Sequence, residues 1–318
     1  MRENKVVYGL IGYGGMGRWH TEILSNVSEA VIGGIYDIKK EKREEAKEKG
    51  FFVYETEEAM LADPDIDVVL IATPNDCHKP IAIRAMHAGK NVISEKPVTL
   101  SSADLLEMEN AAKETGKLLT VHQNRRWDDD FLIIRKLVEE QKLGHVFRIE
   151  SRVHGSRGIP GDWRKEKIHG GGMVLDWGVH LLDQILYLYG DRKIETVYAS
   201  LTHITNQEVD DGFTTILTFE GGTEVLVEVG TNNYISLPRW YVLGEDGTAV
   251  IRDWQLNGEI IRKTGITEEK VVPVKTAAGL TKTMAPRRED TIVKEELPHV
   301  SGDIADFHRN VRSEERRV

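Results

Sequence analysis

Three polar side chains lie close together in the stretch from Asp176 to Asp183, which reads DWGVHLLD. In an α-helix, residues three, four and seven positions apart share a face, so Asp176, His180 and Asp183 would stand on one side of the helix. An imidazole between two carboxylates can be a metal site, a proton-transfer pair or a polar patch. Seven residues span about 10 Å of helix axis. Both carboxylates would therefore not reach one ion, and we expect no metal in this motif.

A glycine-rich stretch near the start reads Gly12-Tyr13-Gly14-Gly15-Met16-Gly17 and fits the dinucleotide fingerprint G-x-G-x-x-G. It follows an apolar run and opens a helical pattern, and Asp37 comes 20 residues after Gly17. We expect the helix N-terminus to bind a pyrophosphate and Asp37 to accept the ribose hydroxyls. A carboxylate repels a 2′-phosphate, so NAD is favoured over NADP. Lys39 and Lys40 lie close to Asp37 in sequence and temper this preference, so NADP remains an alternative.

Two further motifs follow apolar runs that read as strands. Thr73-Pro74-Asn75 follows one run and Glu95-Lys96-Pro97 follows the next. Ligands of open α/β sheets gather beyond the carboxyl ends of the strands, so both motifs are expected to line the cofactor site. The tripeptide alone favours a solvent-facing loop lysine at Lys96. Near the nicotinamide, Lys96 could instead hydrogen-bond a substrate hydroxyl and stabilise a developing alkoxide. His78 is expected to be a surface or helix-start histidine.

The first half of the chain alternates strand and helix patterns, which predicts βαβ units and a parallel sheet. The strands are predicted at Val6–Ile11, Ala30–Tyr36, Val68–Ala72, Asn91–Ser94 and Leu118–Val121. The helices are predicted at Gly15–Val27, Lys39–Lys49, Pro80–Ala88 and Ser101–Thr115.

After about residue 145, strands joined by turn-like pairs predict an α+β domain on an antiparallel sheet. Only Val174–Tyr189 has a clear helical pattern there, and residues 264–301 receive no assignment. The strands are predicted at Val146–Val153, Thr196–His203, Phe213–Phe219, Thr223–Gly230, Tyr241–Gly244 and Thr248–Arg252. We therefore predict two domains, residues 1–122 and 123–318.

Composition limits the classes of function. The 318 residues suit about two domains, and a formal net charge of −10 argues against a nucleic-acid partner. The single cysteine, Cys77, excludes an internal disulfide framework and a Cys-rich zinc site. The sequence shows neither a signal-peptide pattern nor an apolar run of about 18 residues. We expect a cytoplasmic protein with no membrane partner.

The motifs GYGGMG, ATPN (72–75), EKP (95–97) and DWGVH (176–180) together resemble the Gfo/Idh/MocA oxidoreductases, which are NAD(P)-dependent dehydrogenases of sugars, cyclitols and related polyols. Residues 122–140 and 176–190 are most similar to the branch that contains scyllo-inositol dehydrogenases. The resemblance implies an N-terminal Rossmann domain, with a doubly wound parallel sheet, and a C-terminal α+β domain with an open, largely antiparallel sheet. That sheet would serve substrate binding and subunit contacts, so a homodimer or homotetramer is expected.

The resemblance also implies a catalytic set, formed by Lys96, Asp176 and His180. His180 would take the proton of a secondary alcohol as hydride passes to the nicotinamide. Asp176 would orient the imidazole or contact a neighbouring hydroxyl. The resemblance places substrate contacts at Arg125, Trp163 and Arg164. Asp183 points further along the predicted helix, and we expect it to be structural.

Three points stay open at this stage. The family usually continues past a segment like Asp306–Val311 into a final helix, which this sequence, ending at Val318, does not show. The main alternative to a CH–OH dehydrogenase is a non-catalytic NAD(H)-bound sensor. Another alternative is a hydrolase or epimerase that uses tightly bound NAD in a redox-neutral cycle.

Overall fold

The apolar runs of the first half form a five-stranded parallel sheet in the order β2-β1-β3-β4-β5. The computed structural model describes residues 5–266 and 272–311. The expectation about a final helix concerns residues beyond Val311 and lies outside the described residues. The strands are β1 Val6–Ile11, β2 Ala30–Tyr36, β3 Val68–Ile71, β4 Asn91–Ser94 and β5 Leu119–Val121. Their near-continuous apolar sequences are typical of strands buried on both faces.

Five helices accompany this sheet: α1 Gly15–Ser25, α2 Lys40–Glu48, α3 Glu57–Ala62, α4 His78–His87 and α5 Ser102–Thr115. Four of them lie within about two residues of the predicted ranges. Helix α3 was not predicted, because its six residues are too few to show a helical period. Helix α4 begins before Pro80, since a proline in the first turn sacrifices no helical hydrogen bond.

The second half forms an eight-stranded sheet in the order β15-β12-β11-β10-β6-β9-β8-β7. Strands β6 and β9 run parallel, and the other neighbours are antiparallel. The strands are β6 Val146–His154, β7 Ile194–Thr202, β8 Gly212–Phe219, β9 Glu224–Gly230, β10 Trp240–Gly244, β11 Gly247–Ile251, β12 Gly258–Lys263 and β15 Ile292–Glu295, with a separate hairpin of β13 Val274–Thr276 and β14 Gly279–Thr281. The predicted fold class, a Rossmann sheet with a mostly antiparallel second sheet, is confirmed.

Two helices pack on this second sheet, α6 Asp129–Glu139 and α7 Val179–Tyr189. Their apolar faces meet the inner face of the sheet, where Phe131, Leu181 and Trp240 are completely buried. A short helix near the end of the described chain, α8 Ala305–Asn310, packs instead against the first sheet through Ala305 and Phe307. The boundary between residues 122 and 123 stays a prediction.

The segment before α7 departs from the predicted α-helix. Val174–Gly178 forms a π turn, and the α-helix starts only at Val179. A π turn holds more residues than an α turn and often lies at a functional site. Asp176 is therefore rotated away from the position that an unbroken α-helix would give it relative to His180. None of the helices in residues 5–266 and 272–311 has the length and apolar content that a membrane span requires.

Candidate active site

The turn between β1 and α1 can be built only with glycine at its first position. Gly12 has a φ of +97°, and a Cβ there would lie 2.5 Å from the carbonyl oxygen of Ala72. At Gly17 a Cβ would lie 2.1 Å from the carbonyl oxygen of Gly12, so the helix packs directly on the turn. These two glycines bring α1 close to the end of β1.

The middle of the same turn faces open space. A Cβ at Gly14 or Gly15 would meet no described atom within 4 Å. Gly14 is the N-cap of α1 and has no side chain to occupy the free amides of the first turn. Met16 is partly exposed next to them. Room and unpaired N–H donors are what the pyrophosphate of a dinucleotide needs, so the turn fits NAD or NADP.

Asp37 is held at the edge of this turn by two main-chain amides. The N–H of Tyr13 donates to its Oδ2 at 2.7 Å, and the N–H of Lys39 donates to its Oδ1 at 2.8 Å. A carboxylate oxygen accepts more than one hydrogen bond, so the fixed group can still accept ribose hydroxyls. The Tyr13 side chain lies in the core, so Tyr13 contributes to the site through the N–H that holds Asp37.

Lys96 crosses from the end of β4 to the second half of the chain. Its Nζ donates to Oδ1 of Asp176 and to the carbonyl oxygen of Asp176, each at 3.1 Å. Oδ2 of Asp176 accepts from Nε of Arg164, also at 3.1 Å. The Lys96 and Asp176 side chains are largely shielded from solvent. The lysine predicted from EKP and the aspartate predicted from DWGVH thus form an ion pair.

His180 is 4% exposed, and Nδ1 of its ring has no hydrogen-bond partner among the described residues. Burial lowers the pKa of His180 well below its usual 6.5, and the positive charges of Lys96 and Arg125 lower this pKa further. The imidazole is therefore neutral and able to accept a proton.

The predicted contact between Asp176 and the His180 ring is not present in the described part of the chain. Both oxygens of Asp176 are taken by Lys96 and Arg164. The π turn accounts for the difference, because the four-residue spacing places the two side chains on one face only in an unbroken α-helix. Asp183 instead binds Arg126 through both oxygens, at 2.6 and 2.7 Å.

A cavity of ≈ 430 Å³ opens beside Asp176. Arg125 lines it, with its guanidinium 4.2 Å from the ring of Trp177 and its Nη1 donating to Asp128 at 2.8 Å. Trp254 and His154 also line this cavity. The size suits a single sugar or cyclitol, and an aromatic wall with one fixed guanidinium suits a ring that carries hydroxyl groups.

Trp163 and Arg164 lie on a short 3₁₀ turn and do not line this cavity. Arg164 reaches the site through Asp176, and its guanidinium lies 4.5 Å from the Trp163 ring. Their roles as substrate contacts remain predictions.

The loops after β3 and β4 are tied to each other and to the second half of the chain. Asn75 is buried and donates from Nδ2 to the carbonyl oxygens of His169 and Gly170 at 3.1 and 3.3 Å. Thr73 and Pro74 are more exposed and remain open to a ligand. His78 starts α4, as expected, but it is fully buried and bridges the carbonyl oxygens of Thr73 and Pro97.

Glu95 was predicted among the cofactor contacts, but its buried carboxylate points into the protein. Its Oε1 accepts from His20 and His122, and its Oε2 accepts from the N–H of Lys96. Only the backbone of Glu95 is left for a cofactor. Sequence reasoning missed Trp177, Trp254 and His154, because cavity residues on different strands and turns share no local spacing.

Comparisons with known proteins match both halves of the chain to oxidoreductase domains. Residues 6–123 match the family model described as "Oxidoreductase family, NAD-binding Rossmann fold", and residues 131–250 match the GFO/IDH/MocA C-terminal domain. A crystal structure of an NAD-binding protein from Listeria innocua superimposes with a TM-score of 0.92 at 49% identity, over 98% of this chain and 91% of that one.

Two relatives are named as inositol dehydrogenases. The scyllo-inositol 2-dehydrogenase (NADP(+)) of Bacillus subtilis is 31% identical over 76% of this chain, and the myo-inositol 2-dehydrogenase of Thermotoga maritima is 30% identical over 67% of it. The chain spans 67% and 65% of the lengths of these two relatives.

Proposed function

Because the chain belongs to the Gfo/Idh/MocA family of oxidoreductases, we propose that it is an NAD-dependent dehydrogenase of a secondary alcohol in an inositol, a sugar or a related polyol. The observation that carries the proposal is the Lys96–Asp176 ion pair, which joins the dinucleotide-binding half to the cavity-bearing half. The names of the inositol-dehydrogenating relatives support the substrate class.

His180, Lys96 and Asp176 have different roles in the proposed reaction. A bound NAD supplies the acceptor for the hydride that leaves the carbinol carbon. The neutral imidazole of His180 accepts the hydroxyl proton as the carbonyl forms. Lys96, held in place by Asp176, donates a hydrogen bond to the substrate oxygen and stabilises its developing negative charge. Asp176 is therefore a positioning residue for Lys96.

The cofactor is proposed to be NAD because Asp37 is fixed as a carboxylate beside the phosphate-binding turn. A 2′-phosphate would bring a second negative charge against it. We expect Asp37→Ser to move the ratio of kcat/KM values for NAD and NADP toward NADP. An unchanged ratio would show that Asp37 does not contact the ribose. The Bacillus relative, whose name specifies NADP(+), makes this measurement necessary.

The test is a reduction assay with NAD and with NADP over a panel of inositols and aldoses. We expect turnover with at least one polyol and a large loss in Lys96→Met. A matched control is Lys79→Met, which removes a lysine paired with Asp104 and Glu107 on α4 and α5. Binding of NADH without turnover of any polyol would favour a sensor. Substrate consumption without net NADH would favour the redox-neutral alternative.

We also propose that the protein forms a homo-oligomer through the edge of its second sheet. Strand β7 carries Val197, Tyr198 and Leu201, which are 64%, 60% and 51% exposed. Exposed apolar residues on an edge strand favour association. Light scattering should give a mass of at least two chains, and Tyr198→Lys should lower it. A monomeric wild-type protein would refute this assembly.

A further inference from the structure

Three histidines from distant parts of the chain meet behind Glu95. His20 lies on α1, His122 follows β5, and His308 lies on α8. Their exposed fractions are 0%, 0% and 3%. One ring nitrogen of each lies within 4.8 Å of a ring nitrogen of each of the others. None of these three histidines lines the cavity beside Asp176.

Glu95 determines which nitrogens of two of these rings carry protons. Its Oε1 accepts from Nε2 of His20 at 2.7 Å and from Nδ1 of His122 at 3.0 Å. Burial disfavours the charge on Glu95, but the bonds from His122 and His20 outweigh burial and hold its pKa well below the usual range. A carboxylate only accepts, so both facing nitrogens donate. When such a ring is neutral, its opposite nitrogen carries a lone pair.

The free ring nitrogens of the cluster have no hydrogen-bond partner in the part of the chain that the structure describes. Nδ1 of His20, Nε2 of His122 and both nitrogens of His308 are buried and unpartnered. Buried polar atoms in native proteins nearly always have a partner, so this group calls for one. Four such nitrogens on three touching rings point to one shared ligand rather than to separate defects.

We propose that His20, His122 and His308 together bind one transition-metal ion of the zinc class through one ring nitrogen each. Three histidines are a ligand set in which proteins hold zinc, and imidazole suits zinc, copper and nickel. A carboxylate that accepts the other N–H of a ligating histidine is the usual outer partner of such a site, and Glu95 makes this contact to two of the three rings.

The surroundings match those of a metal site. The rings of Trp19, Tyr8 and Phe307 pack against the histidines at centroid distances of 4.7 to 5.9 Å and exclude water.

A bound ion would link α8 to α1 and to the end of β5. Those elements are otherwise joined near the cluster mainly by apolar contacts of Ala305 and Phe307. The ion would therefore stabilise the docking of α8 on the first sheet. Because Glu95 precedes Lys96, the same ion would stiffen the loop that carries the lysine.

The test uses the full chain without an affinity tag, freed of metal by chelator and titrated with Co²⁺, then with Zn²⁺. We expect one equivalent of Co²⁺ per chain with visible d–d absorption, its displacement by Zn²⁺, and a higher Tm with either metal. His122→Gln and His308→Gln should weaken binding by at least about 100-fold. The matched control, His87→Gln, changes an exposed histidine on α4 and should bind as the wild type does.

A further variant distinguishes loss of a metal ligand from loss of folding. His308→Cys keeps a metal ligand and should add a thiolate-to-cobalt charge-transfer band to the spectrum. Failure of the wild-type chain to bind a stoichiometric ion would overturn the proposal. Unchanged Co²⁺ binding in both glutamine variants would overturn it equally. Neither result bears on the proposed dehydrogenase activity, which is assayed with the polyol panel.

Discussion

Alanine substitutions at Gly12 and Gly14 of the phosphate-binding turn should have different effects. Gly12→Ala should lower the stability of the fold, and Gly14→Ala should weaken cofactor binding. At Gly12 an added Cβ would meet a backbone oxygen at 2.5 Å, and φ is +97°. A non-glycine residue in left-handed conformation costs about 1–2 kcal/mol, and forced overpacking costs about 1–3 kcal/mol. Gly12→Ala should therefore lose about 2–5 kcal/mol, which lowers Tm by about 5–15 °C.

At Gly14 the same methyl group meets no described atom within 4 Å, and φ is −79°. Gly14→Ala should change stability by no more than about 0.5 kcal/mol. The methyl group would nevertheless occupy the space assigned to the pyrophosphate. Loss of one hydrogen bond to a charged group, about 1.5–3 kcal/mol, corresponds to a Kd for NADH that is about 10–150-fold weaker.

Differential scanning calorimetry and a fluorescence titration with NADH measure the two effects independently. Gly14→Ala should keep the wild-type Tm and bind NADH poorly, whereas Gly12→Ala should melt early. Wild-type affinity for NADH in Gly14→Ala would refute the assignment of this turn to the pyrophosphate.

Two further predictions concern the catalytic region. Because burial and then Lys96 and Arg125 lower the pKa of His180 well below 6.5, its neutral form persists as the pH falls through 6.5. The kcat/KM for polyol oxidation should therefore fall only below pH 6.5. Removing the positive charge in Arg125→Met should raise the pKa of His180 and shift this fall to higher pH. An unchanged pH profile in Arg125→Met would contradict the effect of Arg125 on His180. Asp183→Ala breaks a bidentate pair whose side chains are 16% and 19% exposed, and should cost about 1–3 kcal/mol while leaving kcat unchanged. Thermal melts and steady-state rates check this, and lost turnover with an unchanged Tm would give Asp183 a catalytic role instead.

The first half of the fold could be predicted almost completely from the sequence. Its parallel strands are buried on both faces, so each one is a short apolar run with clear ends, as in Val6–Ile11 and Asn91–Ser94. Helix α6 also had a signal, because Phe131, Ile134 and Leu137 are spaced by three and are buried. It was missed, although acidic residues open its first turn.

Other features had no local signal. Strands β12 and β15 pair across about 30 residues of chain, and their pairing depends on contacts that no short pattern encodes. The π turn at Val174–Gly178 has an apolar sequence that suits an α-helix equally well. It nevertheless decides that Asp176 pairs with Lys96, 80 positions away, rather than with His180. The resemblance named the candidate residues Lys96, Asp176 and His180, whereas the contacts among them required the structure.

The central claim is that His180 accepts the substrate proton beside the Lys96–Asp176 pair. The most direct measurement is kcat/KM of His180→Asn with the best polyol of the panel, with binding of NADH measured in the same preparation. A general base contributes about 10²–10⁴-fold, so kcat/KM should fall by that factor while the Kd for NADH stays unchanged. Wild-type kcat/KM in His180→Asn would contradict the mechanism.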